Sequence, residues 1–350
     1  MKSSVSRVLL RLRLAPLARR WVPAILEWGS FVDFSSEPYV KAINTLHPQV
    51  RNFLDTLAAQ NRPGWETMPP AEGRALFSSF KALFGVGPEL HRVEDRNIAG
   101  EVPVRIYWPS DEDNLAVVIY FHGGGWVLGN VNTHDPLCRR LASEAGCVVV
   151  SVDYRLAPDA KFPAAFDDCF AATAYVSQHA DEFNVDPLRL VVAGDSAGGN
   201  LATAVAIRAT EVGSPAICSQ VLIYPVVEPT FDTESYLAHA SGFGLTRNTM
   251  MWFWEQYLAS VRDRQNPYAV PTRSTNLHKL PPTHVITAEY DVLLSEGESY
   301  ARQLQAVGVP TTMRRYDGMI HGFVHSSGVF DVGKEAISDL AAHLRQVFSL

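Results

Sequence analysis

From Val102 onward, short runs of β-branched and aromatic residues alternate with longer stretches in which apolar side chains recur every three or four positions. The first pattern fits strands and the second amphipathic helices, because side chains alternate sides along a strand but return to one face of a helix every 3.6 residues. The pattern predicts strands at 102–108, 116–121, 147–152, 189–193, 219–224, 284–288 and 311–315, with helices at 134–146, 164–180, 197–210, 294–307 and 334–347. Runs such as Cys147-Val148-Val149-Val150 are apolar on both faces, as the central strands of a parallel sheet are. Strands alternating with helices imply right-handed crossovers and a mostly parallel sheet flanked by helices, an α/β fold. Two stretches break the rhythm: the chain up to about residue 85, and 226–280, which is rich in aromatics and turns. Both are expected to lie over the carboxyl ends of the strands, where open α/β sheets bind ligands. The expected layout is therefore an extension at 1–45, a helical cap from 46–85 and 226–280, and an α/β domain from 86–225 and 281–350.

Composition narrows the partners. With 350 residues, 47% of them hydrophobic, the chain can bury roughly three quarters of its unfolded surface in one large domain. A net charge of −7 lacks the basic footprint of a nucleic-acid-binding domain. Cys138, Cys147, Cys169 and Cys218 form no CxxC pair and no metal-ligand spacing, so they are expected to be reduced and buried, in keeping with a cytoplasmic setting. No metal or organic cofactor is implied. No apolar run reaches the roughly 18 residues that a membrane span requires. The first thirty residues set Lys2, Arg7, Arg11, Arg13, Arg19 and Arg20 against Glu27 alone, interleaved with leucines and valines. That segment suits a helix packed on the domain, contact with an anionic membrane surface, or a transit peptide. Its arginines interrupt the apolar core that a secretory signal needs.

Chemistry enters at two motifs. Gly194-Asp195-Ser196-Ala197-Gly198 follows the apolar run Leu190–Ala193 and opens a predicted helix. In that setting G-x-S-x-G marks a nucleophile elbow, a strand-to-helix turn so tight that glycines must flank a strained serine. Upstream, His122-Gly123-Gly124-Gly125-Trp126 follows a second apolar run, and its glycines let backbone N–H groups approach a developing oxyanion. His122 itself reads as a residue that holds this loop by hydrogen bonds rather than as an acid or base.

A serine hydroxyl needs a base, and in a hydrolase of this kind the acid and then the histidine follow the serine along the chain. Asp291 closes the stretch that begins with the predicted strand His284–Ala288, and His321 lies in the glycine-flanked loop after 311–315. Glu289 and Glu296 compete with Asp291, and His325 and His343 with His321. The glycine after His321 and the strand before its loop favour that residue, while Glu289 falls in or near the strand and Glu296 in the first turn of a helix. Ser196 without its partners would read as an ordinary helix N-cap. The substrate pocket is expected to draw on Trp126, Asp195, Phe243, Leu245, Trp252 and Phe253, with Trp126 narrowing it toward short acyl chains.

HGGGW at 122–126, DYRLAP at 153–158, FPAAFDD at 162–168, GDSAGGN at 194–200 and HGF at 321–323 together resemble the hormone-sensitive-lipase-like family of α/β-hydrolases, over the chain from about His47 to its end. The resemblance implies an α/β-hydrolase core under a cap, Ser196, Asp291 and His321 as catalytic triad, and Gly123, Gly124 and Ala197 as oxyanion donors. Which two of the three motif glycines point inward is left open by the sequence. Where such esterases often read D-P-L-R-D-E-G, this chain has Asp291-Val292-Leu293-Leu294-Ser295-Glu296-Gly297, which keeps the acid and changes its loop. The implied function is hydrolysis of short to medium acyl esters, a small-molecule substrate, through an acyl-enzyme. A small-molecule receptor and an amidase or deacetylase on the same scaffold are the alternatives, and a homodimer is left open.

Overall fold

The computed structural model describes residues 45–349. Its strands form one eight-stranded sheet: β1 (Arg92–Ile98), β2 (Val102–Trp108), β3 (Leu115–Phe121), β4 (Val148–Val152), β5 (Val185–Asp195), β6 (Ser219–Ile223), β7 (Thr283–Tyr290) and β8 (Thr311–Ile320). The spatial order is β1-β2-β4-β3-β5-β6-β7-β8. β2 runs antiparallel to both β1 and β4, and every pairing from β4 to β8 is parallel. The longer helices of the described residues are α1 (Pro48–Gln60), α2 (Pro70–Ser79), α3 (Val131–Ala145), α4 (Ala164–Gln178), α5 (Ala197–Val212), α6 (Arg247–Tyr257), α7 (Leu294–Ala306) and α8 (Asp331–Phe348).

The two-sided apolar runs account for this layering. Along β3, Val117, Ile119 and Phe121 pack into one layer with α4, α5 and α7, while Val118 and Tyr120 face the other with α3 and α8. A strand covered on both faces has no position for a solvated side chain, and all seven residues of β3 are buried.

Helix ends follow their caps. At the start of α3 the Asn130 side chain accepts the N–H groups of Asn132 and Thr133, and the Thr133 hydroxyl accepts that of Asn130. This box starts the helix at Val131 rather than at the expected 134. Its far end is Gly146, at a left-handed φ of 65° that a glycine adopts without a Cβ penalty.

β1 lies outside the predicted strands. Its sequence Arg-Val-Glu-Asp-Arg-Asn-Ile offers little apolar alternation, because it is the edge of the sheet and needs only one buried flank. Charged side chains hold it instead: Asp95 takes both Nε and Nη2 of Arg105 on β2, and the Arg92 guanidinium lies 3.6 Å from the Trp108 ring centroid. Residues 45–85 and 226–280 contain no strand, and both reach the cavity described below. No helix among the described residues is long and apolar enough to cross a membrane. The readings made of the basic segment before residue 45 lie outside the described residues.

Ile119 is fully buried at the centre of the sheet. Ile119→Ala is expected to lower unfolding free energy by about 2–5 kcal/mol, and Val93→Ala on the edge strand by less than about 1 kcal/mol. Urea denaturation checks both, with an unchanged dependence on denaturant showing that the loss is one of stability.

Candidate active site

β5 delivers Ser196 to the carboxyl end of the sheet, where the backbone turns straight into α5 with φ 57° and ψ −118° at the serine. A non-glycine residue in this region costs on the order of 1–3 kcal/mol and persists only where the surroundings enforce it. They do so through close approach. A Cβ on Gly198 would collide with the Phe121 carbonyl oxygen at the end of β3, and one on Gly194 with the Gly198 carbonyl. The Ser196 N–H donates to the Ile223 carbonyl at 2.8 Å, which ties the turn to β6 as well.

Asp291 and His321 arrive from the next two strands, at the ends of β7 and β8. His321 Nδ1 lies 2.7 Å from Asp291 Oδ2, and His321 Nε2 lies 2.9 Å from Ser196 Oγ. A carboxylate only accepts, so Nδ1 carries the proton and Nε2 presents its lone pair to the serine hydroxyl. The other oxygen, Oδ1, accepts the Leu293 N–H at 2.9 Å, and the side chain is fully shielded from solvent. The Tyr224 ring packs against the imidazole at 4.6 Å. The competing residues are engaged elsewhere: Glu289 accepts the Gly318 N–H, Glu296 the Val227 N–H, His343 stacks on His284, and the His325 ring sits between Phe84 and His134.

The glycine loop corrects one expectation. Gly123, implied as an oxyanion donor, instead donates its N–H to Asp195 Oδ1 at 2.9 Å, because the residue preceding the serine turns its carboxylate under the loop. The N–H groups of Gly124, Gly125 and Ala197 make no bond within the described residues, and Ala197 begins α5, where backbone N–H groups have no intrahelical acceptor. Gly124 and Gly125 have φ values of 121° and 60°. His122 holds the loop from below. Its Nδ1 lies 2.9 Å from the Gly123 carbonyl and its ring stacks on Tyr154, whose hydroxyl donates to the His122 carbonyl at 2.6 Å.

Asp195 is almost fully buried. Burial by itself would raise its carboxyl, but the His134 imidazole 3.2 Å away, His325 and the Tyr120 hydroxyl outweigh it and hold the group below the usual carboxylate range. Burial, with His134 close by, brings the His122 imidazole down to about 3, so it stays neutral.

These groups open onto a cavity of about 360 Å³. Of the residues expected there, Asp195, Leu245 and Phe253 line it, and the Phe253 ring lies against Gly125. Trp126, Phe243 and Trp252 do not, and each is a correction. Trp126 is fully buried behind the loop, stacked on Tyr257 at 4.1 Å; Phe243 stacks on Tyr290 at 5.3 Å; Trp252 packs beside Phe253, 5.2 Å between ring centroids, and stays out of the wall. Much of the wall instead comes from the N-terminal stretch, including Phe53, Leu57, Trp65, Phe77 and Phe80. The four-residue spacing of Phe53 and Leu57 on α1 was the available signal, but such a stripe reads equally as core.

Residues 118–325 match the alpha/beta hydrolase fold family, over more than half of the chain. The chain belongs to that family. The carboxylesterase NlhH of Mycobacterium tuberculosis is 37% identical to this α/β-hydrolase over 324 residues, spanning 89% of the chain and 98% of the relative. Among solved structures, a thermostable esterase from Pseudomonas putida superposes with a TM-score of 0.83 at 37% identity, over 87% of this chain and 98% of that one. A hyperthermophilic esterase from the archaeon Pyrobaculum calidifontis does so at 0.82 and 43%, over 86% and 98%. The resemblance of this α/β-hydrolase to the hormone-sensitive-lipase-like group is shown by these matches.

Because His122 is neutral in the fold and titrates near 6.5 when unfolded, the unfolded chain binds the extra proton first as pH falls. Its contribution is complete above about pH 6.5 and is lost toward pH 3, at up to about 1.4 kcal/mol per pH unit. Denaturant midpoints at pH 7.5 and 4.5 check this: the parent is expected to lose more stability over that interval than His122→Asn does.

Proposed function

We propose that this chain hydrolyses carboxylic esters of short to medium acyl length through an acyl-enzyme, with Ser196 as nucleophile, His321 as general base and then general acid, and Asp291 as the residue that orients the imidazole. One observation carries the reading: a single continuous relay from a buried carboxylate through an imidazole to a hydroxyl on a strained turn, opening into a cavity. His321 takes the hydroxyl proton as Ser196 Oγ attacks the ester carbonyl, and returns it to the departing alkoxide. Asp291 stabilises the imidazolium formed in between. Water then repeats the sequence on the acyl-serine and releases the acid.

Gly124, Gly125 and Ala197 are the donors we assign to the oxyanion, since Gly123 is bound to Asp195. Each such donor is typically worth about 2.7–4 kcal/mol in the transition state. The names of the relatives, carboxylesterase and esterase, support the ester bond as the one attacked. Residues 46–85 and 226–280 are proposed to act as a cap, because both contribute to the cavity wall above the serine. A volume of about 360 Å³ lies at the lower end of small-molecule pockets and supports the short to medium acyl range. The receptor alternative gains nothing from the geometry, since the base is present and aligned.

Hydrolysis of a p-nitrophenyl ester series from acetate to palmitate tests the reading. The rate is expected to peak at short to medium chains and to fall at least about 10⁴-fold in Ser196→Ala, with Ser196→Ala/His321→Ala no worse than the single variant, because the two residues act as a unit. Turnover retained in Ser196→Ala would sink the assignment. Removing the ring that presses on Gly125 opens the wall, so Phe253→Ala is expected to shift the preferred ester toward longer chains.

A further inference from the structure

Beneath the serine the fold gathers three residues that the proposed chemistry leaves unused. His134 on α3, Asp195 at the end of β5 and His325 after β8 each present a ligand atom, and these atoms all lie within 4.8 Å of one another. Nothing in their sequence spacing announces the group, which the crossing of three distant segments brings together. All three line the cavity, so the cluster has an entry path.

Hydrogen-bond accounting around His134 fixes which nitrogen faces the group. The Thr133 hydroxyl lies 2.8 Å from the Asn130 carbonyl and 2.9 Å from His134 Nδ1, so Nδ1 is engaged by its neighbour and Nε2 is the nitrogen left to the group. Nε2 then turns toward Asp195, 3.2 Å from Oδ1. The Gly123 N–H reaches both atoms, 3.4 Å from Nε2 and 2.9 Å from Oδ1, so imidazole and carboxylate converge on one donor. An imidazole whose other nitrogen is hydrogen-bonded to an outer partner is the arrangement found at metal-ligating histidines. His325 supplies the second, independent observation: both its ring nitrogens are shielded from solvent and have no hydrogen-bond partner among the described residues. With no proton donated to a partner from either nitrogen, the ring has a lone pair to offer an ion.

The geometry points to a site for a first-row divalent cation, zinc being the probe of choice, bound by His134 Nε2, a carboxylate oxygen of Asp195 and a ring nitrogen of His325. Two imidazoles and a carboxylate suit such an ion, and three protein ligands leave a fourth position facing the cavity. Ligand bonds of about 2.0–2.1 Å give a tetrahedral edge of roughly 3.4 Å, so the His134–Asp195 separation already fits and His325 must draw in by somewhat over an ångström. Binding would also compete for the carboxylate that holds the Gly123 N–H, and so would disturb the glycine loop and slow turnover.

Chelator-treated parent chain is titrated with zinc by calorimetry and with cobalt by visible absorption. One ion per chain is expected, with the strong ligand-field bands of four-coordinate cobalt. His325→Gln is expected to weaken binding by at least about tenfold, since even outer-sphere changes cost that much. His325→Cys is expected to keep the ion and to add a thiolate-to-cobalt charge-transfer band absent from the parent. No stoichiometric ion, parent-like affinity in folded His325→Gln, or no thiolate band in His325→Cys would each overturn the site. Zinc is expected to inhibit ester hydrolysis at the concentration that fills the site, and filling without inhibition would overturn the coupling to the glycine loop. The inhibition arm rests on the ester-hydrolase reading, whereas the binding arms stand whether or not any ester is turned over.

Discussion

The approach of β5 and α5 to the end of β3 is the constraint on which the site depends. With Gly194 in register beside Phe121, the turn after β5 passes so near the Phe121 carbonyl that Gly198 has no space for a side chain. That contact places the glycine loop, which begins one residue after Phe121, directly over the turn that carries Ser196. Sheet register thus sets the distance between the Ser196 hydroxyl and the loop N–H groups before any polar bond is made. The positive φ at Ser196 is the local cost, and it is spread over two core layers that pack β3 and β5 from both sides.

Asp195 is the second element of this architecture. A carboxylate buried one residue before Ser196 would be costly by itself, and here Gly123, Tyr120 and His134 meet it. Its bond to Gly123 occupies that N–H and stiffens the loop, so Gly124 and Gly125 extend from a fixed base. The acid therefore acts as a strut between loop and elbow.

What the sequence made legible was what periodicity and turn chemistry encode locally. The central strands stand out because short runs apolar on both faces, such as those of β3 and β4, belong in the middle of a sheet covered from both sides. The order serine, acid, histidine was readable because each lies just after a strand, and parallel strands end on the same side of the sheet. β1 was missed because an edge strand pinned by Arg105 and Arg92 carries no apolar code. Trp126, Phe243 and Trp252 were misplaced because a large aromatic fits a cavity wall and a core equally well, and only the partner ring decides. The tie of Gly123 to Asp195, and the meeting of His134 with His325, depend on how distant segments cross, which one strand's pattern does not contain.

The cavity draws its two kinds of residue from different parts of the chain. Ser196, Asp291 and His321 follow strand ends, locked by the sheet, whereas much of the apolar wall comes from α1, α2 and α6. Exchanging a wall residue alters volume and shape without moving the reacting atoms, since those helices contribute no strand to the sheet. The fold is therefore modular with respect to selectivity: its repertoire of substrates can drift through changes in two peripheral segments while the machinery beneath stays under the mechanical control of the core.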